Sequence, residues 1–123
     1  MGSLDIAKEG YEAFSRGDIA KFMSLCDDDI EWIYYGSVPW AGSFRGHGEV
    51  MRFFEILAGA IEIRAFGPDE FIVSEDDVAV TGRTSAQIRS SGALYENRWA
   101  HFSKIRNGKL ARFIGYDTTP LTA

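Results

Sequence analysis

Apolar residues recur at helical spacing through the first half of the chain. The pattern predicts one helix over residues 4–16, a short second helix after Asp18, and a third that begins near residues 47–49. Gly17 ends the first helix, and Asp18 is placed to cap the second. The positions predicted to face inward are Leu4, Ala7, Tyr11, Phe14, Ile19, Phe22, Cys26, Val50, Phe53, Phe54, Leu57 and Ile61.

The other stretches favour β-strands joined by turns. An aromatic, β-favouring run predicts a strand at residues 30–35, and the glycine-rich segment 36–48 predicts a loop. An Asn-Gly pair at residues 107–108 predicts a tight hairpin turn before the final strand. The later predicted strands are residues 61–66, 71–74, 78–88, 94–105 and 110–117.

Helices followed by long hairpins predict an α+β domain, with the helices on one face of a curved antiparallel sheet. Gly82 and Gly115 lie within long strands and let them bend, so the sheet can curl around its helices. A chain of 123 residues has room for one domain, which we expect to span residues 1–123. Its 46% hydrophobic residues are enough to bury an interior and to line a cavity.

Charge and composition exclude several classes of partner. The net charge is −5 and the 13 basic residues are scattered, so we expect no nucleic-acid surface. The longest apolar runs are only a few residues, so we expect no membrane partner. The N-terminus lacks the layout of a signal peptide, and the lone Cys26 cannot form an internal disulfide. We therefore expect a cytoplasmic protein.

Four segments carry a resemblance to a known family: residues 11–18, 39–46, 99–102 and 107–113. With the order of the elements, they make the whole chain resemble the NTF2-like superfamily, and most closely its SnoaL-like branch. Relatives in that branch include ketosteroid isomerases, limonene epoxide hydrolases and polyketide cyclases. The resemblance implies a cone-shaped fold, with a pocket between three helices and the concave sheet face, and dimerisation through the convex face. It leaves the reaction open, because this fold hosts enzymes, binding domains and transport factors.

Strand alternation places the main candidate for chemistry. Asn97, Trp99 and His101 share one face of the strand at residues 94–105. The resemblance to ketosteroid isomerase places His101 near that family's oxyanion-hole acid, and Asp117 near the pocket mouth. His101 is therefore a candidate general acid or base, and Asp117 its orienting partner or a second base. The alternatives are a buried histidine that bonds only within the sheet and an aspartate that starts the C-terminal turn.

The first strand supplies a third catalytic candidate. Matching its following loop to related loops directs Ile33 and Tyr35 toward the pocket, and Trp32 and Tyr34 away from it. The Tyr35 phenol would then hydrogen-bond a carbonyl or polarise an epoxide. An aromatic core residue whose hydroxyl reaches water is the equally weighted alternative.

Other residues are predicted to shape the pocket or to bind the ligand. Trp40 and Phe44 are bulky apolar residues in a glycine-rich loop, which favours a lid over the pocket mouth. Arg83 resembles the arginine of limonene epoxide hydrolases and would bind an anionic or carbonyl group, unless it is exposed or ion-paired. The remaining predicted ligand-binding residues are Ile33, Phe53, Ser85, Asn97 and Trp99.

The departures from those relatives limit the reaction. The position that resembles the base of ketosteroid isomerase is Ile33, and its helix-1 tyrosine position resembles Gly10, with Tyr11 one residue away. The carboxylates of limonene epoxide hydrolase resemble Ser85 and Gly115. Neither mechanism is therefore expected.

The leading hypothesis is a small-molecule-binding protein of the SnoaL-like branch. Its ligand would be largely apolar with a carbonyl or hydroxyl, and an enzyme of this kind would transfer a proton next to the carbonyl in isomerisation, cyclisation or dehydration. A non-catalytic binding domain, or a dimerisation module with a self-filled pocket, is the alternative. No cofactor motif is present and two distant histidines oppose a metal site, so we expect neither. Because Arg98, Ala100 and Phe102 face away from the helices, we expect a homodimer.

Overall fold

The computed structural model describes residues 2–121, which form three helices and six strands. None of the helices in that range is long and apolar enough to cross a membrane. The elements, in chain order, are α1 (Ser3–Ser15), α2 (Ile19–Ser24), β1 (Cys26–Tyr35), β2 (Gly42–Arg45), α3 (Gly46–Ala60), β3 (Ile61–Ser74), β4 (Asp77–Ile88), β5 (Leu94–Arg106) and β6 (Lys109–Asp117).

The six strands form one curved, open sheet with the order β2-β1-β6-β5-β4-β3. Strands β3 to β6 form an antiparallel meander, and β2 pairs antiparallel with β1. Strands β1 and β6 pair in parallel, so the predicted antiparallel arrangement holds for four of the five strand pairs and fails for this one. Turn chemistry fixes the direction of strands that are neighbours in sequence, whereas β1 and β6 meet across most of the chain.

Three boundaries differ from the sequence prediction. The predicted strands 61–66 and 71–74 are parts of one strand, β3, whose ladder is interrupted by register shifts rather than by a loop. The predicted loop 36–48 contains β2 and the first turn of α3. Cys26, predicted to lie on the second helix, is the first residue of β1, although it is buried as expected.

The helices cover one face of the sheet and leave the other open. Residues of β5 alternate between buried and exposed along its length, with Trp99 and His101 buried and Phe102 half-exposed. Buried side chains of α1, α2 and α3 join the inner residues of the sheet in one apolar core. We call the helix-covered face of the sheet the inner face and the other the outer face.

Two glycines of the inner face are required by close packing. A Cβ at Gly82 would overlap the ring of Trp99, and a Cβ at Gly115 would overlap the ring of Tyr34. Each glycine therefore lets an aromatic ring of the neighbouring strand lie flat across the sheet. This requirement comes in addition to the bending that the sequence predicts for both positions.

Candidate functional site

A cavity of about 100 Å³ lies between the helices and the inner face of the sheet. Most of its wall is apolar and aromatic, and the three tryptophans of the chain all contribute to it. Asp117 is the only lining residue with a carboxylate, and no lysine or arginine is among the described lining residues. The polar lining residues are Tyr11, Tyr34, Thr84, Tyr95, Asn97, His101, Ser103 and Asp117.

His101 and Tyr11 form a buried hydrogen-bonded pair in the wall. The Tyr11 hydroxyl lies 2.7 Å from His101 Nδ1, and the imidazole stacks on Trp99 with 4.0 Å between ring centroids. Burial lowers the pKa of His101 to about 3, so the ring is neutral at physiological pH. Burial also raises the pKa of Tyr11 above its ordinary value, so the phenol keeps its proton.

The geometry indicates which tautomer of His101 is present. Donation from Tyr11 to Nδ1 leaves one polar group of the pair unpaired, whereas the reverse arrangement leaves both the Tyr11 hydroxyl proton and Nε2 unpaired, so we assign the Tyr11 proton to the bond with Nδ1. The proton of the neutral ring is then on Nε2. That Nε2 atom is buried and has no hydrogen-bond partner among the described residues, and the same is true of Nε1 of Trp32.

Asp117 accepts three hydrogen bonds from three separate parts of the chain. Tyr34 donates its hydroxyl proton to Oδ1 at 2.6 Å, and the Asn97 amide donates to the same oxygen at 2.8 Å. The indole of Trp40 donates to Oδ2 at 3.0 Å. Burial raises the pKa of Asp117, and these three hydrogen bonds oppose that rise.

The predicted pair of His101 and Asp117 does not form. Alternation places both residues on the cavity wall as expected, together with Asn97 and Trp99. In the sheet, however, His101 lies opposite Gly115, and Asp117 lies opposite Trp99. The imidazole bonds to Tyr11 and the carboxylate to other donors, so Asp117 does not orient His101.

The side chains of β1 face the opposite way from the prediction. Ile33 and Tyr35 lie on the outer face, where Tyr35 is 51% exposed and stacks on Tyr116. Trp32 and Tyr34 line the cavity instead. The comparison with related loops therefore misplaced the facing of β1 by one residue, which exchanges its inner and outer side chains.

Two further predicted ligand-binding residues, Arg83 and Ser85, lie on the outer face. Their neighbour Thr84 is buried and lines the cavity. The exposed guanidinium of Arg83 donates to both carboxylate oxygens of Asp69, at 3.1 and 3.2 Å. The alternative of an ion-paired arginine therefore describes Arg83 correctly, and neither residue reaches a ligand in the cavity.

The two residues of the predicted lid, Trp40 and Phe44, lie in different places. Trp40 is buried in the cavity wall and Phe53 lines it as well. Phe44 belongs to β2 and packs edge-on against Phe53, with 5.6 Å between ring centroids, outside the cavity lining. Phe44 pairs with Trp32 on the edge strand β2 and is not a lining residue, so it does not form the predicted lid.

Among the cavity residues that the sequence did not assign to the site are Tyr11, Trp32 and Tyr34. A signal was present for each. Tyr11 belongs to the inward stripe predicted for the first helix. In β1, the charged residue Glu31 is expected to face outward, so the alternate residues Trp32 and Tyr34 are expected to face inward.

Comparisons with known proteins agree with this architecture. The model of the SnoaL-like domain family matches residues 7–113 of the chain. An uncharacterized protein of Mycobacterium tuberculosis is 25% identical over 117 residues, which cover 95% of this chain and 89% of the relative. The crystal structure of an NTF2-like protein from Burkholderia thailandensis has a TM-score of 0.89 at 28% identity and covers 96% of this chain and 92% of that one. An NTF2-like protein of unknown function from Burkholderia pseudomallei has a TM-score of 0.86 at 26% identity, with coverage of 94% and 90%.

Proposed function

Since the chain belongs to the SnoaL-like domain family, we propose that it binds one small, largely apolar molecule in the cavity between its helices and its sheet. The observation that carries this proposal is the cavity wall, which is mainly aromatic and aliphatic with a few polar groups. Small-molecule sites in proteins have this composition: apolar walls exclude water, and a few polar groups orient the ligand.

The cavity volume limits the size of the ligand. An engineered apolar cavity of about 150 Å³ holds one benzene molecule, and pockets for drug-sized ligands start at about 300 Å³. A volume of about 100 Å³ is smaller than the benzene cavity, so a ligand of one six-membered ring fits with a small outward movement of the wall. A ligand with several fused rings would require a much larger movement of the aromatic wall.

Filling the cavity tests the proposal. Gly10 of α1 lines the cavity, and a Cβ there would make only ordinary contacts with Phe22, so Gly10→Leu places a side chain in the cavity. The matched control is Gly59→Leu on α3, at an exposed position with no atom within 4 Å of a Cβ. The probe is methylenecyclohexane, titrated into ¹⁵N-labelled protein and followed by NMR.

We expect saturable binding to the wild type and to Gly59→Leu, and its loss in Gly10→Leu while the melting temperature is retained. Absence of binding to the wild type, or equal binding to Gly10→Leu, would overturn the proposal.

A second candidate is proton transfer next to a carbonyl, as in isomerisation, cyclisation or dehydration. The observation that favours it is the carboxylate of Asp117, which is half-buried in the cavity wall and has a raised pKa. Two others weaken it: both oxygens of Asp117 already accept hydrogen bonds, and neutral His101 has no proton to give as an imidazolium. Tyr35, on the outer face, takes no part. Deuterium uptake by cyclohexanone in D₂O tests this candidate, which fails if the protein does not accelerate uptake or if Asp117→Asn leaves the rate unchanged.

The outer face supports a homodimer. Tyr35, Phe102 and Tyr116 form an exposed aromatic cluster there, with Tyr116 packed between the other two rings at 5.1 and 5.9 Å. A second copy of the chain would cover these rings with its own equivalent surface. The cytoplasmic location remains a prediction from the sequence.

A further inference from the structure

One of the three tryptophans in the cavity wall differs from the others in its indole N–H. Trp40 donates its proton to Asp117, and Trp99 donates to Thr84 Oγ1 at 2.9 Å. Trp32 is only 2% exposed, and its Nε1 has no partner within residues 2–121. Because an indole nitrogen can only donate, this buried proton requires an acceptor that the described residues do not provide.

His101 adds a second donor of the same kind. Tyr11 occupies Nδ1 of the imidazole, so the ring proton is on Nε2, which is buried and has no partner among the described residues. The ring itself is 6% exposed and lines the cavity. In the absence of ligand, a buried donor that has no acceptor destabilises the folded protein. Binding of a ligand that supplies an acceptor is therefore favoured.

The two donors lie on either side of Phe113, because β6 separates β1 from β5 in the sheet. The Trp32 ring stacks on Phe113 with 3.9 Å between centroids, and the His101 ring packs on Phe113 at 4.6 Å. Phe113 therefore provides an apolar surface between them, against which the hydrocarbon part of a ligand can pack.

The charges of the wall decide what kind of acceptor fits. No lysine or arginine is among the described lining residues, so a carboxylate ligand would be buried without a counter-ion. Asp117 would also repel an anion. An uncharged acceptor such as a carbonyl oxygen meets neither penalty.

From these contacts we infer that Trp32 is the donor that recognises the carbonyl oxygen of an uncharged ligand and sets the preference for a carbonyl over a hydrocarbon, while His101 is a second unpaired donor on the other side of Phe113. This inference rests on the proposed binding function and assigns a binding role to Trp32.

Two probes of the same shape test it: cyclohexanone, and methylenecyclohexane, in which a CH₂ group replaces the carbonyl oxygen. We expect the wild type to bind the ketone about tenfold more tightly, the ratio expected when one buried donor gains its acceptor. We also expect the ketone alone to move the indole Nε1–H resonance of Trp32 downfield in the NMR titration.

Two matched variants locate the effect. Trp32→Phe keeps an aromatic ring but removes the free donor, so the two probes should bind it with nearly equal affinity. Trp99→Phe removes an indole N–H that Thr84 already accepts, so the preference for the ketone should remain about tenfold. The wild-type indole resonance gives a readout that does not depend on the folding of either variant.

The outcomes separate this inference from the proposed function. Equal binding of the two probes to the wild type, or an unchanged preference in Trp32→Phe, would overturn the role of Trp32 while binding in the cavity stands. Tighter binding of cyclohexanecarboxylate than of cyclohexanone would overturn the preference for an uncharged ligand. If neither ring binds, the proposed function itself fails.

Discussion

Asp117 connects three parts of the molecule through its two carboxylate oxygens. Its donors come from β1, from the segment between β1 and β2, and from β5. Asn97, one of these donors, also accepts the backbone N–H groups of Thr118 and Thr119 at 3.0 Å each. The carboxylate therefore orders one end of the cavity wall together with the chain that follows β6.

Replacing Asp117 should cost stability. In Asp117→Asn one oxygen becomes an amide NH₂, which cannot accept the proton of Tyr34 or Trp40, so we expect a loss of about 1–3 kcal/mol in the free energy of unfolding. Urea denaturation measures it. Asp69→Asn is the control, because its exposed ion pair with Arg83 contributes less than about 1 kcal/mol. Equal losses in the two variants would contradict the role assigned to Asp117.

The neutral state of His101 makes stability depend on pH. The pKa is about 3 in the folded protein and 6.5 as the ordinary value, so between these values the unfolded chain binds a proton that the folded protein does not. The free energy of unfolding should therefore fall by about 1 kcal/mol per pH unit as the pH drops below 6.5.

Comparison with His101→Gln isolates this contribution. The raised pKa of Asp117 acts with the opposite sign, but it is present in both proteins and cancels in the difference. Urea denaturation from pH 7 to pH 5 should give a smaller slope for His101→Gln than for the wild type. Identical slopes would show that the imidazole is not buried in its neutral form.

Alternation along β5 was enough to place His101 on the cavity wall. Its partner could not be obtained in this way, because Tyr11 reaches the imidazole from α1, and the rotation of a helix against a sheet is not contained in the strand pattern. Tyr11 was on the predicted inward stripe, but a one-residue offset from a related family removed it from the candidates.

At the scale of elements, the sequence pattern of β1 was not enough to determine which of its side chains face the helices. The run over residues 30–35 has aromatic residues on both faces, so hydrophobicity alone does not select the inner one. Only the charged residue Glu31 indicates which alternate positions of β1 face outward. Tyr35 faces outward and stacks there on Tyr116.

The glycine of β6 should tolerate no side chain. Gly115→Ala would push the ring of Tyr34 off the sheet and away from Asp117, so we expect a loss of about 1–3 kcal/mol. Gly67→Ala on β3 is the control, because no atom lies within 4 Å of a Cβ at that position. Thermal unfolding of the two variants measures the difference. A Gly115→Ala protein as stable as Gly67→Ala would mean that the Tyr34 ring can move without cost.

At the scale of the whole molecule, the α+β fold and the SnoaL-like family were predictable from the sequence. Helical spacing, the Asn-Gly turn and the order of elements predicted the fold class. The resemblance of four segments to a known family predicted the SnoaL-like family, which the family match confirms. The parallel pairing of β1 with β6 was not predictable, because no local turn determines it. The size of the cavity also depends on how aromatic side chains pack together, which no pattern along the chain records.

The aromatic cluster on the outer face predicts a dimer in solution. Light scattering at micromolar concentration should give twice the mass of one chain. Phe102→Glu should give a monomer, because a buried carboxylate without a partner opposes association. Met51→Glu changes an exposed apolar residue on α3 and should remain dimeric. A wild-type protein with the mass of one chain would contradict the prediction.

We propose that the cavity beneath the helices is where this protein binds its ligand. Intermolecular NOEs between bound cyclohexanone and the protein test it most directly, because they report which side chains lie within a few ångströms of the ligand. We predict NOEs from the ring protons to Phe53 and Phe113 in the wall, and none to Tyr35 or Phe102 on the outer face. NOEs to the outer-face rings alone, or no NOEs to the cavity wall at saturation, would contradict the account.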